Sequence, residues 1–325
     1  MFRTTLEITP QPYAIGHCSS LALLGSCFSE KIGAKLIEHK FDALINPFGT
    51  LFHPRSICQL ITKSIKKEPL NADSMLLHDE RYLSHELHSS LNAASREELQ
   101  HLFSNQSRIL SGTLSKANFL IITMGTALEY IHKETGQHVA NCHKVPQKHF
   151  NRKLTSLDAL HDSFAEAHQI LQELNPQIEI LLTVSPVRHT KDSIELNSVS
   201  KASLRLACAD WSRDYDNVHY FPSYEIMMDD LRDYRYYEKD LVHPNEQAID
   251  YIWNQFSQTF FVPKTKELNT KIQKINRAIA HRAFNPNSKA HQKFLKQTLS
   301  DMEELNEVVS FQREIDSLKS QIIYD

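Results

Sequence analysis

Three short, mostly apolar runs, Leu21 to Leu24, Phe119 to Thr123 and Ile178 to Val184, each stop at a turn signal: Gly25, Gly125 and Ser185-Pro186. Runs of this length bounded in this way read as strands covered on both faces. Between them lie stretches with helical character, Pro54 to Lys66, Arg96 to Lys116, Ser156 to Leu174 and Ser200 to Tyr215. Each is long enough to cross from one parallel strand to the next. The alternation predicts a doubly wound α/β sheet. Ser156 reads as a helix N-cap and Asn175-Pro176 as the stop of the same helix. Two segments, Ser74 to Leu87 and Glu129 to Val139 with a turn at Thr135-Gly136, read as hairpins at the edge or rim of the sheet.

Past Pro263 the chain becomes rich in lysine and glutamate, and Leu295, Leu299, Met302, Leu305 and Val309 fall near heptad spacing. The expected organisation is therefore an α/β domain over 1–262 and a helical extension over 263–325. The apolar stripe of the extension either covers the α/β core, as amphipathic helices generally do, or pairs with a second copy to make a homo-oligomer.

Composition narrows the function classes. A formal net charge of -3 with no long lysine or arginine run argues against non-specific binding of nucleic acid or anionic lipid. No apolar core of signal-peptide type follows Met1, and no stretch approaches the roughly 20 apolar residues of a spanning helix, so no membrane insertion and a cytoplasmic location are expected. Cys18, Cys27, Cys58, Cys142 and Cys208 are odd in number and scattered, which fits reduced thiols. The 18 histidines form no H-E-x-x-H helix and there is no C-x-x-C pair, so no metal site is expected. Phosphate-binding glycine motifs are absent too, and no cofactor is called for.

Two constellations carry chemistry. Gly25-Ser26-Cys27 stands after a strand and opens a helix whose apolar positions are Phe28, Ile32, Leu36 and Ile37. A nucleophile there is exposed by the turn, and the unpaired amides of the first helical turn can hold an oxyanion. The helix N-terminus should lower the Cys27 pKa. The plainer reading makes Ser26 an N-cap and Cys27 a small buried hydrophobe. The second constellation is Asp240-Leu241-Val242-His243-Pro244, in which the carboxylate can orient the imidazole as a general base; its plainer reading is capping and surface polarity.

In order, GSCFSEKIG from residue 25 on, INPFGTLFHP at 45–54, NCHKVP at 141–146, TVSPVRH at 183–189 and FPSYEIMMDDLRDYRYYEKDLVHP at 221–244 resemble the GSCFA family, a bacterial group within the SGNH/GDSL-like superfamily. INRAIAHRAFNPNSKAHQKFL in the tail is similar to the family as well. The resemblance implies a flavodoxin-like three-layer α/β/α sandwich with a parallel sheet, and a cofactor-free enzyme that hydrolyses or transfers ester-linked acyl groups.

Laid on the SGNH G-D-S block, Gly25-Ser26-Cys27 puts Cys27 in the nucleophile's slot, a departure that leaves Cys27 by register and Ser26 by chemical type. Gly49 matches the glycine whose amide faces the oxyanion. The asparagine of the G-x-N-D block is missing from Gly125-Thr126-Ala127-Leu128, so Thr126 or Asn141 is the expected substitute. Asp240 and His243 match the D-x-x-H block. His143 and Lys144, with Arg188 and His189, are candidates for an anionic or sugar portion of a small-molecule or glycan ester, such as a cell-envelope precursor. The altered first and third blocks also fit a rival reading, a binding or assembly protein that keeps the fold without turnover.

Overall fold

In a computed structural model, which describes residues 4–8, 13–191 and 193–323, the chain runs β1 (Ser20–Gly25), α1 (Cys27–Glu38), β2 (Asp42–Ile45), α2 (Pro54–Lys66), β3 (Met75–His78), β4 (Arg81–Ser84), α3 (Arg96–Leu114) and β5 (Phe119–Met124). It continues through β6 (Leu128–His132), β7 (His138–Val139), β8 (Phe150–Leu154), α4 (Leu157–Leu174), β9 (Glu179–Val184), α5 (Ile194–Asp214) and β10 (Val218–Tyr220). A short turn of helix, α6 (Ser223–Glu225), widens into a π-turn over Ile226–Asp230, and α7 (Glu246–Phe260), α8 (Pro263–Ala280), α9 (Lys289–Leu305) and α10 (Gln312–Lys319) follow.

Five parallel strands form the central sheet in the order β2-β1-β5-β9-β10. Counting only these strands along the chain, the order is 2-1-3-4-5, the flavodoxin-like pattern in which ligands sit outside the carboxyl ends where the winding reverses, here between β1 and β5. Alternate residues of one strand serve opposite layers. Ala22 and Leu24 pack with Ile57, Phe103, Phe164 and Trp211 of α2 to α5, whereas Leu21 and Leu23 pack with Phe28, Leu36, Ile252 and Phe256 of α1 and α7. Burial on both faces is why these strands lack polar alternation.

Both expected hairpins are present. β3 pairs with β4, and β6 pairs with β7, but β6 also pairs with β8, whose exposed polar residues gave no apolar run to read. This small sheet is tied to α2 by the buried Glu129 carboxylate, which accepts from Arg55 at 2.9 Å and pairs with His138 at 3.1 Å.

Helix α5 starts at Ile194, six residues before the expected Ser200, with Ser193 as its N-cap. Its first two turns carry a buried polar stripe, Asn197, Ser200 and Lys201, at helical spacing under the carboxyl ends of β5 and β9. Asn197 Oδ1 accepts from His189 N (2.9 Å) and Ser200 Oγ from Ala127 N (2.7 Å). Lys201, 1% exposed, donates to Gly125 O at 2.8 Å and Ser185 O at 2.7 Å. Burial lowers its pKa to about 7, and a neutral amine still has two N–H donors for those two carbonyls.

The tail is helical, and its apolar stripe is consumed internally. Leu295, Met302, Leu305 and Val309 form a third core with Ile272, Ile275, Phe311, Ile315 and Leu318. It therefore does not cover the main core, as the general rule favoured. Polar contacts attach this three-helix unit to the α/β domain: Asn276 Nδ2 donates to Glu38 O, and Lys40 pairs with Glu314 while lying 4.5 Å from the centre of the Phe311 ring.

Truncating Phe311 to Ala should cost the tail about 3–5 kcal/mol. Hydrogen exchange should then speed up over 263–323 while α2 to α5 keep their protection; an equal loss in both would mean that the two units fold as one. For Lys201, the unfolded chain holds a proton up to about pH 10.4 that the folded chain releases near 7, so stability should rise with pH across that window. Urea unfolding of the wild type should gain about 1.4 kcal/mol per pH unit relative to Lys201→Met between pH 7 and 9; parallel profiles would sink the assignment.

Candidate active site

The turn after β1 is built on a close approach. Gly25 has φ +134°, and a Cβ on it would stand 2.1 Å from Thr123 O on β5. Three bonds hold the turn: Gly25 N donates to Asn46 Oδ1 (2.9 Å), Ser26 N to Thr123 O (3.0 Å), and Leu51 N to Gly25 O (2.9 Å). Asn46 comes from the INPFGTLFHP block, so that block has a mechanical role in shaping the first one.

The two candidate nucleophiles separate here. Ser26 is 1% exposed and caps α1, its hydroxyl accepting from Phe28 N at 3.3 Å. Cys27, the first residue of α1, is half-buried on the rim. The expected lowering of the thiol pKa is reversed: burial raises it, the Glu30 carboxylate raises it further, and Lys31 and the Thr50 hydroxyl oppose them. Glu30 is held in place by Thr50, which donates to its Oε1 at 2.9 Å.

Asp240 and His243 converge as their spacing predicts. His243 Nδ1 lies 2.7 Å from Asp240 Oδ2, while Oδ1 accepts from the amides of Val242 (2.9 Å) and His243 (3.0 Å). Bonds from His243's amide and ring and from the Val242 amide hold the carboxyl at about 2. With Nδ1 donating to the carboxylate, Nε2 is the nitrogen that can accept a proton. Arg188 joins this turn to the end of β9, its amide donating to Val242 O at 3.4 Å and its guanidinium lying 4.6 Å from the centre of the Tyr237 ring.

His189 sits deeper. Its Nε2 would be 3.0 Å from a Cβ on Gly125, and its ring meets Phe52 edge-on at 5.2 Å. Burial, then the charges of Lys201 and His243, push its pKa down to about 3, so it is neutral. It packs the rim instead of presenting a charge to an anion.

The expected oxyanion set is largely spoken for. Gly49 N donates to Asn46 O at 2.8 Å, closing the turn for which Gly49 adopts φ +74°. Thr126 Oγ1 accepts from Leu128 N (3.0 Å) and bonds Ser200 Oγ (3.0 Å), and Thr126 N donates to Phe52 O. Asn141 Oδ1 accepts from His143 N at 3.0 Å, leaving its amide nitrogen as a donor with no protein acceptor among the described residues. At the start of α1, the amides of Ser26, Phe28 and Ser29 are bonded to Thr123 O, Ser26 Oγ and Ser26 O. Cys27 N, beside its own thiol, is the remaining donor of the four among the described residues.

His143 is likewise buried, with Nε2 2.7 Å from Ser84 O and a pKa pushed down to about 4 by burial, so it braces the β4 end while Lys144 stays exposed. Lys201, Asn197 and Asn46 were not legible as site residues, since each is one polar residue in a helix or loop. The signal available for the first two was their i, i+4 spacing at positions where a crossover helix should be apolar.

Among the described residues there is no group of three metal-ligating side chains. A half-buried thiol thus stands at the end of β1, where the strand order reverses, and an Asp-His pair stands on the turn tied to the end of β9. Among the described residues, no helix is long and apolar enough to cross a membrane.

A family model described as the GSCFA family matches residues 20–256, from β1 into α7, and one described as GSCFA domain protein, C-terminal domain, matches 272–324. Comparison with curated proteins gives no match. With well over half of its length matched, and the matched blocks forming one rim, the chain belongs to the GSCFA family.

Proposed function

We propose that this is an SGNH-type enzyme of ester bonds, an esterase or O-acyltransferase working through a covalent acyl-cysteine. The observation that carries the reading is the Asp240–His243 pair, closed at 2.7 Å on the turn tied to the end of β9, in a chain that sets the Cys27 thiol at the end of β1. His243 Nε2 takes the thiol proton as sulfur attacks the ester carbonyl. The tetrahedral oxyanion draws on Cys27 N and on the amide of Asn141. Collapse expels the alkoxide, which receives the proton from His243 and leaves a thioester on Cys27. Water or an acceptor hydroxyl, deprotonated by His243, then attacks the thioester and releases the acyl product and the thiol. Asp240 holds the imidazole and stabilises its cationic form. Lys144 and Arg188 suit a polar acceptor, a glycan or cell-envelope precursor.

A binding or assembly role is the second reading, favoured by the committed Gly49 amide and Thr126 hydroxyl and by the raised thiol pKa. Activated acyl esters distinguish the two. Mass spectrometry should find one acyl adduct on the peptide containing Cys27, and Cys27→Ala should lower turnover by about 10⁴ to 10⁶ while Ser26→Ala, which removes a cap, costs far less. Ser26→Ala abolishing turnover with Cys27→Ala near normal would make serine the nucleophile. Folded variants with no adduct and no loss would leave the binding role.

A further inference from the structure

The net charge of -3 conceals a sharp segregation. From Leu268 to Ser300 there is no aspartate or glutamate, while Lys271, Lys274, Arg277, Arg282, Lys289, Lys293 and Lys296 are all exposed. Lys271 and Lys274 look across a shallow groove at Asp301 and Glu304, which leaves Arg277, Arg282 and the α9 lysines at the α8–α9 tip without acidic neighbours in that stretch. Lys289, Lys293 and Lys296, spaced by four and three, lie along one face of α9.

The same tip exposes apolar side chains. Phe284, in the loop between the helices, is 107% exposed, and Ile279 and Phe294 remain more than a third exposed. His281 and His291 gather beside the Phe294 ring, at 5.6 and 6.0 Å between centres. The tail unit is attached through Glu38 and Lys40, at the end of α1 and just before β2. These lie at the amino ends of the strands, opposite the carboxyl ends that carry Cys27 and the dyad turn. The surface is therefore separate from the candidate active site.

We infer that the α8–α9 tip is a peripheral docking surface for an anionic phospholipid bilayer, with the cations on the headgroup phosphates and Phe284 entering the acyl boundary. An exposed apolar side chain on a tip rich in cations matches a layer that presents phosphate first and hydrocarbon beneath it. A nucleic acid would answer the cations but has no place for Ile279, and a second copy would have to bring an acidic, apolar-lined recess.

The test uses the full chain and vesicles of phosphatidylcholine with or without about 30% phosphatidylglycerol. Co-sedimentation should require the anionic lipid and fade as salt approaches about 0.5 M. Phe284→Ser, and separately Lys289→Glu with Lys293→Glu and Lys296→Glu, should each weaken binding about tenfold or more, at surface positions that leave the far-ultraviolet spectrum unchanged. Phe284→Trp should blue-shift its emission on anionic vesicles only. The inference falls if neither vesicle binds, if both bind equally, if the charge-reversed variant binds as the wild type does, or if the emission of the Phe284→Trp variant does not move. It falls too if an oligonucleotide binds with the same dependence on these cations and no dependence on Phe284.

Discussion

Everything at the rim depends on the absence of a side chain at residue 25. β1 and β5 are neighbours at the reversal of the winding, and the chain leaving β1 passes so close to Thr123 that a Cβ would overlap its carbonyl oxygen. That closeness lets Ser26 N bond Thr123 O, which starts α1 immediately and sets its phase. The phase turns Ser26 inward as the cap and leaves Cys27 at the surface. Asn46 and Leu51 then grip the same turn from the β2 side, so the second sequence block serves the geometry of the first.

The third and fourth strand ends are held by a different device. Ala127 after β5 is fully buried, and the loop around it is pinned from beneath by α5. Ser200 meets the Ala127 amide, Lys201 bridges the carbonyls of Gly125 and Ser185, and Asn197 holds His189. A buried ammonium would be expensive in such a place, and the fall of the Lys201 pKa to about 7 relieves that cost without losing either bond. Rigid turns obtained this way are a scaffold for groups supplied from elsewhere, namely the dyad turn reached through Arg188 N.

The buried strands were legible because burial on both faces makes a mostly apolar run, and β1, β5 and β9 are such runs. β2 and β10 are short, and β8 is polar and exposed, so they are defined by their ladders and left no mark in composition. The dyad was legible because its partners are three residues apart and make their bonds within one turn. Oxyanion donors were not legible: whether an amide at Gly49 or a hydroxyl at Thr126 is available depends on acceptors such as Asn46 O and Ser200 Oγ that only the fold brings near. The tail stripe was visible, but its cover was not, because heptad spacing specifies an apolar face and says nothing of whether α8 and α10 of the same chain will fill it.

The raised thiol pKa bears on how such a site would work. A helix N-terminus stabilises a thiolate by partial charge, yet Cys27 is half-buried and has Glu30, fixed by Thr50, close by, and burial with that charge outweighs the dipole. The resting group is then the thiol, which spares it from oxidation and from adventitious electrophiles. Attack requires the proton to leave as the bond to carbon forms, so the base is not an accessory to a preformed nucleophile but the group that creates it. Asp240, with its carboxyl held at about 2, is ionised near neutral pH and, by taking Nδ1, leaves His243 Nε2 as the acceptor. In the proposed mechanism the activation of the thiol therefore falls to the Asp-His pair, and Asp240, bonded at once to the ring and to two backbone amides, fixes the ring for that task.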